Sequence, residues 1–325
     1  MAIRIVTADQ VRALLTMPRC VEAMAAAMTA ASTGQIKTPP RNIFPLLDDS
    51  AYFGVMPGSA TATIGYGAKV ISLHPDNPAD GRPAIQGFVS LFDHHTGEPI
   101  AIIEGSQITG IRTAAASGLG TRELARPNAR THGILGTGVQ AHTHIDAINA
   151  VREIERVVIW GRDGAKAQAL VHDVATLYDC EVVAGTIEQA TACDIVSAVT
   201  AASEPIVLTG QIGPGTHLNL VGAHTPKTRE AEGALIGKAA IYVDSYESAM
   251  NEAGDLLLAE AEGHFSMSSI VGEIGEVVAG TKPARQSDQQ ITIYKSLGVV
   301  GQDLYAASLV YELASAQNIG TLVEL

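Results

Sequence analysis

One stretch constrains the fold of this chain more than any other. Thr131-His132-Gly133-Ile134-Leu135-Gly136-Thr137-Gly138-Val139-Gln140-Ala141 is an apolar run that ends in Gly-x-Gly-x-x-Ala and passes directly into a helical pattern. This is the strand–turn–helix setting in which a dinucleotide pyrophosphate rests on a helix N-terminus. Gly136 permits the tight turn and Gly138 lets the backbone approach the phosphates. Ala141 is small enough for the helix to lie close on the strand. Glycine pairs also end ordinary strands, so the weight lies on the strand before the motif and the helix after it.

The second signal stands 21 residues beyond Ala141, at Arg162. Arg156-Val157-Val158-Ile159-Trp160 reads as the next strand and ends at Gly161-Arg162-Asp163. An NAD site usually places a carboxylate at that strand tip to hold the ribose 2′-hydroxyl, whereas an arginine suits the 2′-phosphate of NADP. NADP(H) is therefore preferred and NAD(H) remains possible, because a slip of one residue would bring Asp163 into the acidic role. A solvated loop arginine is the plain alternative.

A chain of 325 residues exceeds the usual single domain, and two domains are expected. With 46% hydrophobic and 17% charged residues it has the make-up of a packed globular enzyme. A net charge of −13 argues against nucleic acid or an anionic membrane as partner, though a local basic pocket for an anionic substrate is compatible with it. No apolar run reaches the ~18–20 residues of a membrane span, and the N-terminus lacks a signal-peptide profile. Cys20, Cys180 and Cys193 are too few and too scattered for a disulfide framework or a zinc site, so no metal is expected. The cytoplasm is the expected compartment.

The chain opens with a strand-like Ile3–Val6, after which Thr7 or Asp9 would cap a helix through Leu15. A second helix is expected from about Arg19 to Ser32. Thr38-Pro39-Pro40 breaks the pattern, and residues 43–89 read as strands punctuated by glycine and proline. A strand at 100–103 leads into a small-residue helix over about 106–124. Pro127-Asn128-Ala129 marks the expected boundary. Beyond it, strands at 133–135, 157–160, 181–184, 194–198, 217–221 and 240–243 alternate with helices, the layout of a doubly wound parallel sheet. After Gly298 one more apolar helix is expected, with no strand to follow. The predicted class is thus α/β: a Rossmann-type doubly wound parallel sheet domain over 127–298, and a smaller α+β substrate and dimerisation domain from 1–126 and 299–325.

Two cations stand out against apolar surroundings. In Ile64–Leu73, period two places Lys69 on one strand face with Ile71 and Leu73, while Ala68, Val70 and Ser72 take the other. A lysine there needs an anionic partner, since an unpaired buried ammonium is costly. The alternative is an edge-strand lysine that blocks aggregation. On the helix that follows, Ile108, Ile111, Arg112, Ala115, Ala116 and Leu119 share one side, an apolar stripe with a single guanidinium. Arg112 cannot shed its proton and should meet a carboxylate or phosphate, either a ligand or an internal acid. If a ligand, Arg112→Ala removes activity and spares folding; unfolding would mark an internal ion pair.

With these elements placed, the chain resembles the ornithine cyclodeaminase/mu-crystallin family over nearly its full length. The likeness rests on Pro39-Pro40-Arg41, Gly67-Ala68-Lys69-Val70, Ile111-Arg112-Thr113-Ala114-Ala115 and Gly136-Thr137-Gly138-Val139-Gln140-Ala141. It continues in Gly254-Asp255-Leu256, Lys295-Ser296-Leu297-Gly298 and Asp303-Leu304. The order and spacing of these pieces are more specific than any one of them. The resemblance implies that Arg112 binds a substrate α-carboxylate with Arg41 and Lys69 beside it; a planar guanidinium fork suits that group. It also implies a cofactor site drawn from Gly136, Thr137, Gly138, Val139, Gln140, Arg162, Thr200, Val221 and Ser296, with Arg112 contributing, and a homodimer joined through the first domain. By sequence alone Arg41 reads equally as a surface residue in an extended segment.

The informative departure is Val221-Gly222-Ala223-His224-Thr225-Pro226. Cyclodeaminases resemble this segment but carry an aspartate where His224 stands, and that aspartate serves ammonia loss and ring closure. An imidazole cannot be assumed to replace it, which turns the expectation toward imine reduction, with Lys69, His224 or a bound water as the proton donor. A histidine satisfied by its own loop is the plain alternative. His142, His144, His94 and His95 read as solvated, and His74 falls at a turn after the Lys69 strand. Glu247, Glu252 and Asp255 read as a solvated or capping helix face rather than a metal site.

The expected activity is NADPH-dependent reduction of a small cyclic imino acid, 1-pyrroline-2-carboxylate or 1-piperideine-2-carboxylate, to proline or pipecolate. The alternatives are an ornithine cyclodeaminase, an alanine dehydrogenase-type enzyme, or a crystallin-like NADP-dependent binding protein.

Overall fold

The computed structural model describes residues 2–39 and 41–324; Pro40 of the Pro39-Pro40-Arg41 motif lies outside the described residues. The chain divides into two units, residues 1–112 with 299–325, and residues 113–298. The division falls inside one helix, upstream of the turn at Pro127–Ala129.

The first unit begins with β1 (Ala2–Val6), α1 (Ala8–Leu14) and α2 (Met17–Ser32). Gln10 reaches back to accept from the Thr7 amide at 3.0 Å, fixing the entry to α1. Pro18 in the first turn of α2 sets φ in advance, so that helix starts two residues before Arg19. Four antiparallel strands follow, β2 (Asn42–Pro45), β3 (Tyr52–Ser59), β4 (Tyr66–Leu73) and β5 (Ile85–Phe92), then β6 (Pro99–Glu104), which leads into α3 (Gly105–Leu124).

The second unit is a run of βα pairs: β7 (Thr131–Leu135), α4 (Val139–Val151), β8 (Arg156–Trp160), α5 (Gly164–Val174), β9 (Glu181–Ala184), α6 (Ile187–Thr191) and β10 (Ile195–Ala198). It continues through β11 (His217–Leu220), α7 (Gly233–Ile236), β12 (Ala240–Val243), α8 (Tyr246–Glu252), α9 (Gly254–Ala261), β13 (Gly272–Glu273), α10 (Ile274–Val278) and β14 (Thr292–Lys295). Every pairing in this eight-stranded sheet is parallel, in the order β13-β12-β14-β11-β10-β7-β8-β9. The order reverses beside β7, which makes the C-terminal ends of β7 and β10 the switch point where such sheets bind ligands. Period-two alternation serves both faces: Ile134, Val157, Ile159 and Ile195 enter one apolar cluster, and Leu135, Val158 and Val196 the other. The chain is thus α/β, with a Rossmann-type doubly wound sheet.

The chain then returns to the first unit as α11 (Val300–Ala316) and β15 (Thr321–Glu324). The last strand corrects the expectation that none would follow the helix. Asn318 and Gly320 take positive φ and turn the chain, after which Thr321–Glu324 pairs antiparallel with β1. The seven-stranded sheet reads β15-β1-β6-β5-β4-β3-β2, and α11 packs on α2 and across β3 to β6.

Within the second unit, the last turn of α3 is capped by arginines rather than by glycine. Arg152 donates to the carbonyls of Thr121, Arg122 and Ala125 at 3.0–3.1 Å, and Arg285 to that of Leu124 at 2.7 Å. These are the carbonyls a helix C-terminus leaves without partners. The same unit buries polar side chains. His132 lies 3.0 Å from Ser197 Oγ, His217 lies 3.0 Å from Thr292 Oγ1, and Asn219 donates to Thr121 at 3.0 Å. His144, expected in solvent, is fully buried and lies 2.9 Å from Ser117 Oγ. The reason is helical phase: Ala141, His144, Ile145 and Ile148 share the buried face of α4, whereas His142 is exposed. His94 and His95 are exposed as expected.

Candidate active site

In the first unit, β4 lies between β3 and β5, which rules out the edge-strand reading of Lys69. The side chain is 2% exposed on the face it shares with Ile71. Its Nζ donates to Oδ1 of Asp303, in the first turn of α11, at 3.0 Å. Arg112 Nε donates to the same oxygen at 3.0 Å, and its Nη1 to Gln302 Oε1 at 2.7 Å. The internal acid foreseen as the alternative for Arg112 is therefore present, and its partner in the structure is Asp303 rather than a ligand alone. Burial pushes the Asp303 carboxyl up, but Arg112 and Lys69 outweigh it and hold it below its usual range. Burial draws Lys69 down to about 8; Asp303 opposes this, and the charges of Arg112 and Arg41 add to it. One carboxylate thus serves two buried cations, with a third cation, Arg41, near enough to act on Lys69. The group carries an excess of positive charge that a ligand carboxylate would neutralise.

In the second unit, a cavity of about 760 Å³ opens at the C-terminal ends of β7, β8 and β10. Gly136 takes φ 131°, and a Cβ there would stand 3.0 Å from Val199. Gly138 begins α4 with no side-chain hydrogen bond closing the helix, and a Cβ on it would meet nothing within 4 Å. The first amides of a thirteen-residue helix therefore face open space, the arrangement that fits a pyrophosphate. Thr137, Trp160, Arg162, Lys166 and Thr200 also line the cavity. Asp163 lines it too, but its Oδ1 accepts from the amides of Ala165 and Lys166 at 2.9 and 3.4 Å, capping α5. One oxygen of that carboxylate is thus engaged by the helix, and Arg162, Lys166 and Glu204 are the other charged residues of the lining.

The remaining sequence-predicted residues are placed unevenly. Val139 is 70% exposed in the first turn of α4, with Gln140 after it. Val221 closes β11 by donating to Ala198 O at 3.0 Å, and Ser296 is buried 3.5 Å from Asp244 Oδ2. His224 is exposed, its Nδ1 2.9 Å from Gly222 O, as a loop-satisfied histidine would be. Because a carbonyl only accepts, Nδ1 carries the proton and a neutral ring presents Nε2 as an acceptor.

Sequence reasoning missed three acids. Asp303 was quoted only as part of a motif. Asp244 accepts from the amides of Leu297 and Gly298 at 2.7 and 2.6 Å and holds the turn after Ser296. Asp255, read as solvated or capping, is fully buried and pairs with Lys295 at 2.8 Å. Its available signal was Lys295 itself, in the quoted Lys295-Ser296-Leu297-Gly298 motif. Glu247 is exposed, as expected. Among the described residues no group of three or more His, Cys, Asp or Glu side chains forms a candidate metal site, and no helix is long and apolar enough to cross a membrane.

Known proteins resemble the chain over nearly its full length. Residues 2–318 match the model of the ornithine cyclodeaminase/mu-crystallin family. A Δ1-pyrroline-2-carboxylate reductase of Bacillus cereus is 35% identical over 98% of this chain and 99% of its own length. The ketimine reductase mu-crystallin of Rattus norvegicus is 34% identical over 94% of each chain. Among solved structures, the Δ1-pyrroline-2-carboxylate reductase of Thermococcus litoralis, in complex with NADH and L-proline, superposes with a TM-score of 0.94 at 33% identity. It covers 98% of this chain and 99% of that one.

Proposed function

The chain belongs to the ornithine cyclodeaminase/mu-crystallin family, and from that premise we propose that it is an NADPH-dependent reductase of a small cyclic imino acid. 1-Pyrroline-2-carboxylate is the first substrate to try and 1-piperideine-2-carboxylate the next, with proline or pipecolate as product. The observation that carries this reading is the buried group of Lys69, Arg112 and Asp303, which has one cation more than it has anions. A substrate carboxylate balances it, held by Arg112 with Arg41 alongside.

When bound, the reduced nicotinamide supplies the hydride that the imine carbon accepts. The chain's own part is to hold the carboxylate and to provide a proton for the ring nitrogen. Lys69 suits the second task, because an ammonium drawn down to about 8 gives up its proton near neutrality. His224, with its donor nitrogen turned to Gly222, suits hydrogen bonding to the substrate better than proton delivery. The amides after Gly136 and Gly138 receive the pyrophosphate, and Arg162 with Lys166 receives the 2′-phosphate of NADPH.

We also read the first unit as the dimerisation unit. Its edge strand β2 and the following turn expose Ile43, Phe44 and Leu47, the last fully.

The test is consumption of NADPH by the purified protein with each cyclic imine, with NADH and ornithine as controls. Rapid NADPH oxidation with either imine is expected. Ammonia release from ornithine without imine turnover would overturn the assignment. Arg162→Gln should lower kcat/KM for NADPH about tenfold to a hundredfold and leave NADH nearly unchanged, since it removes charge-assisted bonds to the phosphate alone.

A further inference from the structure

Part of the wall of the proposed dinucleotide cavity is a stretch without regular secondary structure, residues 199–204 with Ile206. Such a segment needs outside hydrogen bonds to hold one shape. The Val199 amide donates to Leu135 O at 2.9 Å and the Ser203 carbonyl accepts from the Arg229 amide at 3.4 Å, while both ends of the segment bond to one residue of the same unit, Glu230, whose side chain is fully buried. At the head of the segment, the amide and hydroxyl of Thr200 both donate to Glu230 Oε1 at 2.7 Å. At its tail, the amides of Ile206 and Val207 donate to the Glu230 carbonyl at 2.8 and 2.9 Å. The other carboxylate oxygen accepts from the Gly222 amide at 2.7 Å, which ties the end of β11 to the end of β10. Gly222 has to be glycine, because a Cβ would stand 2.0 Å from Thr200 O and 2.6 Å from Glu230 Oε1.

Glu230 is itself anchored. Asp255 Oδ1 accepts from the amides of Glu230 and Ala231 at 2.7 and 3.0 Å, and Lys295 Nζ donates to Asp255 Oδ2 at 2.8 Å and to the carbonyl of Ala223. Lys295, Asp255 and Glu230 are all fully buried, so none of these bonds competes with water. The series runs from β14 through the start of α9 to the cavity wall.

We infer that Glu230 is a positioning residue for the dinucleotide: it clasps the 200–207 segment at both ends and presents that wall in the shape the cofactor binds. Thr200 then acts with its hydroxyl committed, donating to Glu230 and accepting from the Ala202 amide at 3.1 Å, so it shapes the wall rather than bonding the ligand through that group. The inference rests on the reading of this cavity as the dinucleotide site and needs no particular imine.

Trp160 provides the assay, as the sole tryptophan of the chain and a lining residue of the cavity. Titrating NADPH against its fluorescence gives a dissociation constant without turnover. Glu230→Ala is expected to raise that constant tenfold or more, while kcat at saturating NADPH changes less than threefold. Glu230→Gln keeps one acceptor for Thr200 but sets an amide nitrogen against the Gly222 N–H, and should fall between. A residue that only stabilised the fold would lower the melting temperature and leave the constant unmoved. A folded Glu230→Ala binding NADPH within twofold of wild type would overturn the inference. Should that variant fail to fold, Thr200→Val removes only the hydroxyl hook; a threefold or greater weakening supports the clasp, and an unchanged constant overturns it. Wild-type protein that binds neither NADPH nor NADH would overturn the dinucleotide reading and the clasp with it. Binding without imine turnover would overturn only the choice of substrate.

Discussion

Lys69 and Arg112 both reach Oδ1 of Asp303 at 3.0 Å, so neither has the carboxylate to itself. The arginine stays charged whatever its surroundings. The cost of sharing therefore falls on the lysine, drawn down by burial to about 8. The sign of its pH effect follows. If Lys69 delivers the proton, as proposed, it does so only while protonated, so reductive kcat/KM should be level below about pH 8 and fall tenfold per unit above it. Oxidation of the cyclic amino acid needs the neutral amine and should rise over the same range. Lys69→Met, measured in both directions across pH, should abolish both limbs; profiles that keep their shape would assign the proton elsewhere. Arg112→Ala should cost activity and also about 3 kcal/mol of stability in urea titrations, because Asp303 loses a partner while 1% exposed. This stability loss replaces the expectation that folding would be spared. The stripe around Arg112 told from sequence that a guanidinium was buried. The identity of its partner was out of reach, since Asp303 lies 191 residues away and only α11 folding over the sheet brings it near.

At the level of elements, the glycine turn, the β8 tip and the small-residue helix were legible because each announces itself within a dozen residues. Among the elements missed was β14, a central strand between β11 and β12. Thr292-Ile293-Tyr294-Lys295 is short, mixes polar with apolar residues and ends in lysine, so it lacks the apolar run of a buried parallel strand. Its polar members are satisfied by partners far off in sequence: Thr292 donates to Leu124 O at 3.2 Å, and Lys295 pairs with Asp255. The end of α3 teaches the same point, for no local C-cap signals it and Arg152 and Arg285 supply the donors instead. Arg152→Ala should therefore lower stability by about 2–4 kcal/mol, seen as an earlier thermal midpoint. It should leave the NADPH dissociation constant unchanged, because these arginines are absent from the lining of the cavity proposed to hold the dinucleotide.

Across the whole molecule, acid sensitivity is concentrated in one unit. Burial holds His132 and His217 at about 3 and His144 at about 4, and all three belong to the second unit. Each binds its proton more readily unfolded, at about 6.5, than folded. Stability is therefore complete above about pH 6.5 and is lost as pH falls toward 3–4, by up to ~1.4 kcal/mol per histidine per pH unit. Loss of near-ultraviolet circular dichroism between pH 6 and 4 should track the second unit, and His217→Gln should shift the transition to lower pH. An acid midpoint that is indifferent to this change would refute the assignment. The pairing of Ala2 with Glu324 bears on how the protein is made. Residues 113–298 are contiguous and can close their sheet while still tethered to the ribosome. β1 is translated well before β15 and waits for that strand before both of its edges are covered. A nascent chain stalled before residue 321 would therefore display a finished second unit and an open edge on β1, a surface for chaperones to guard.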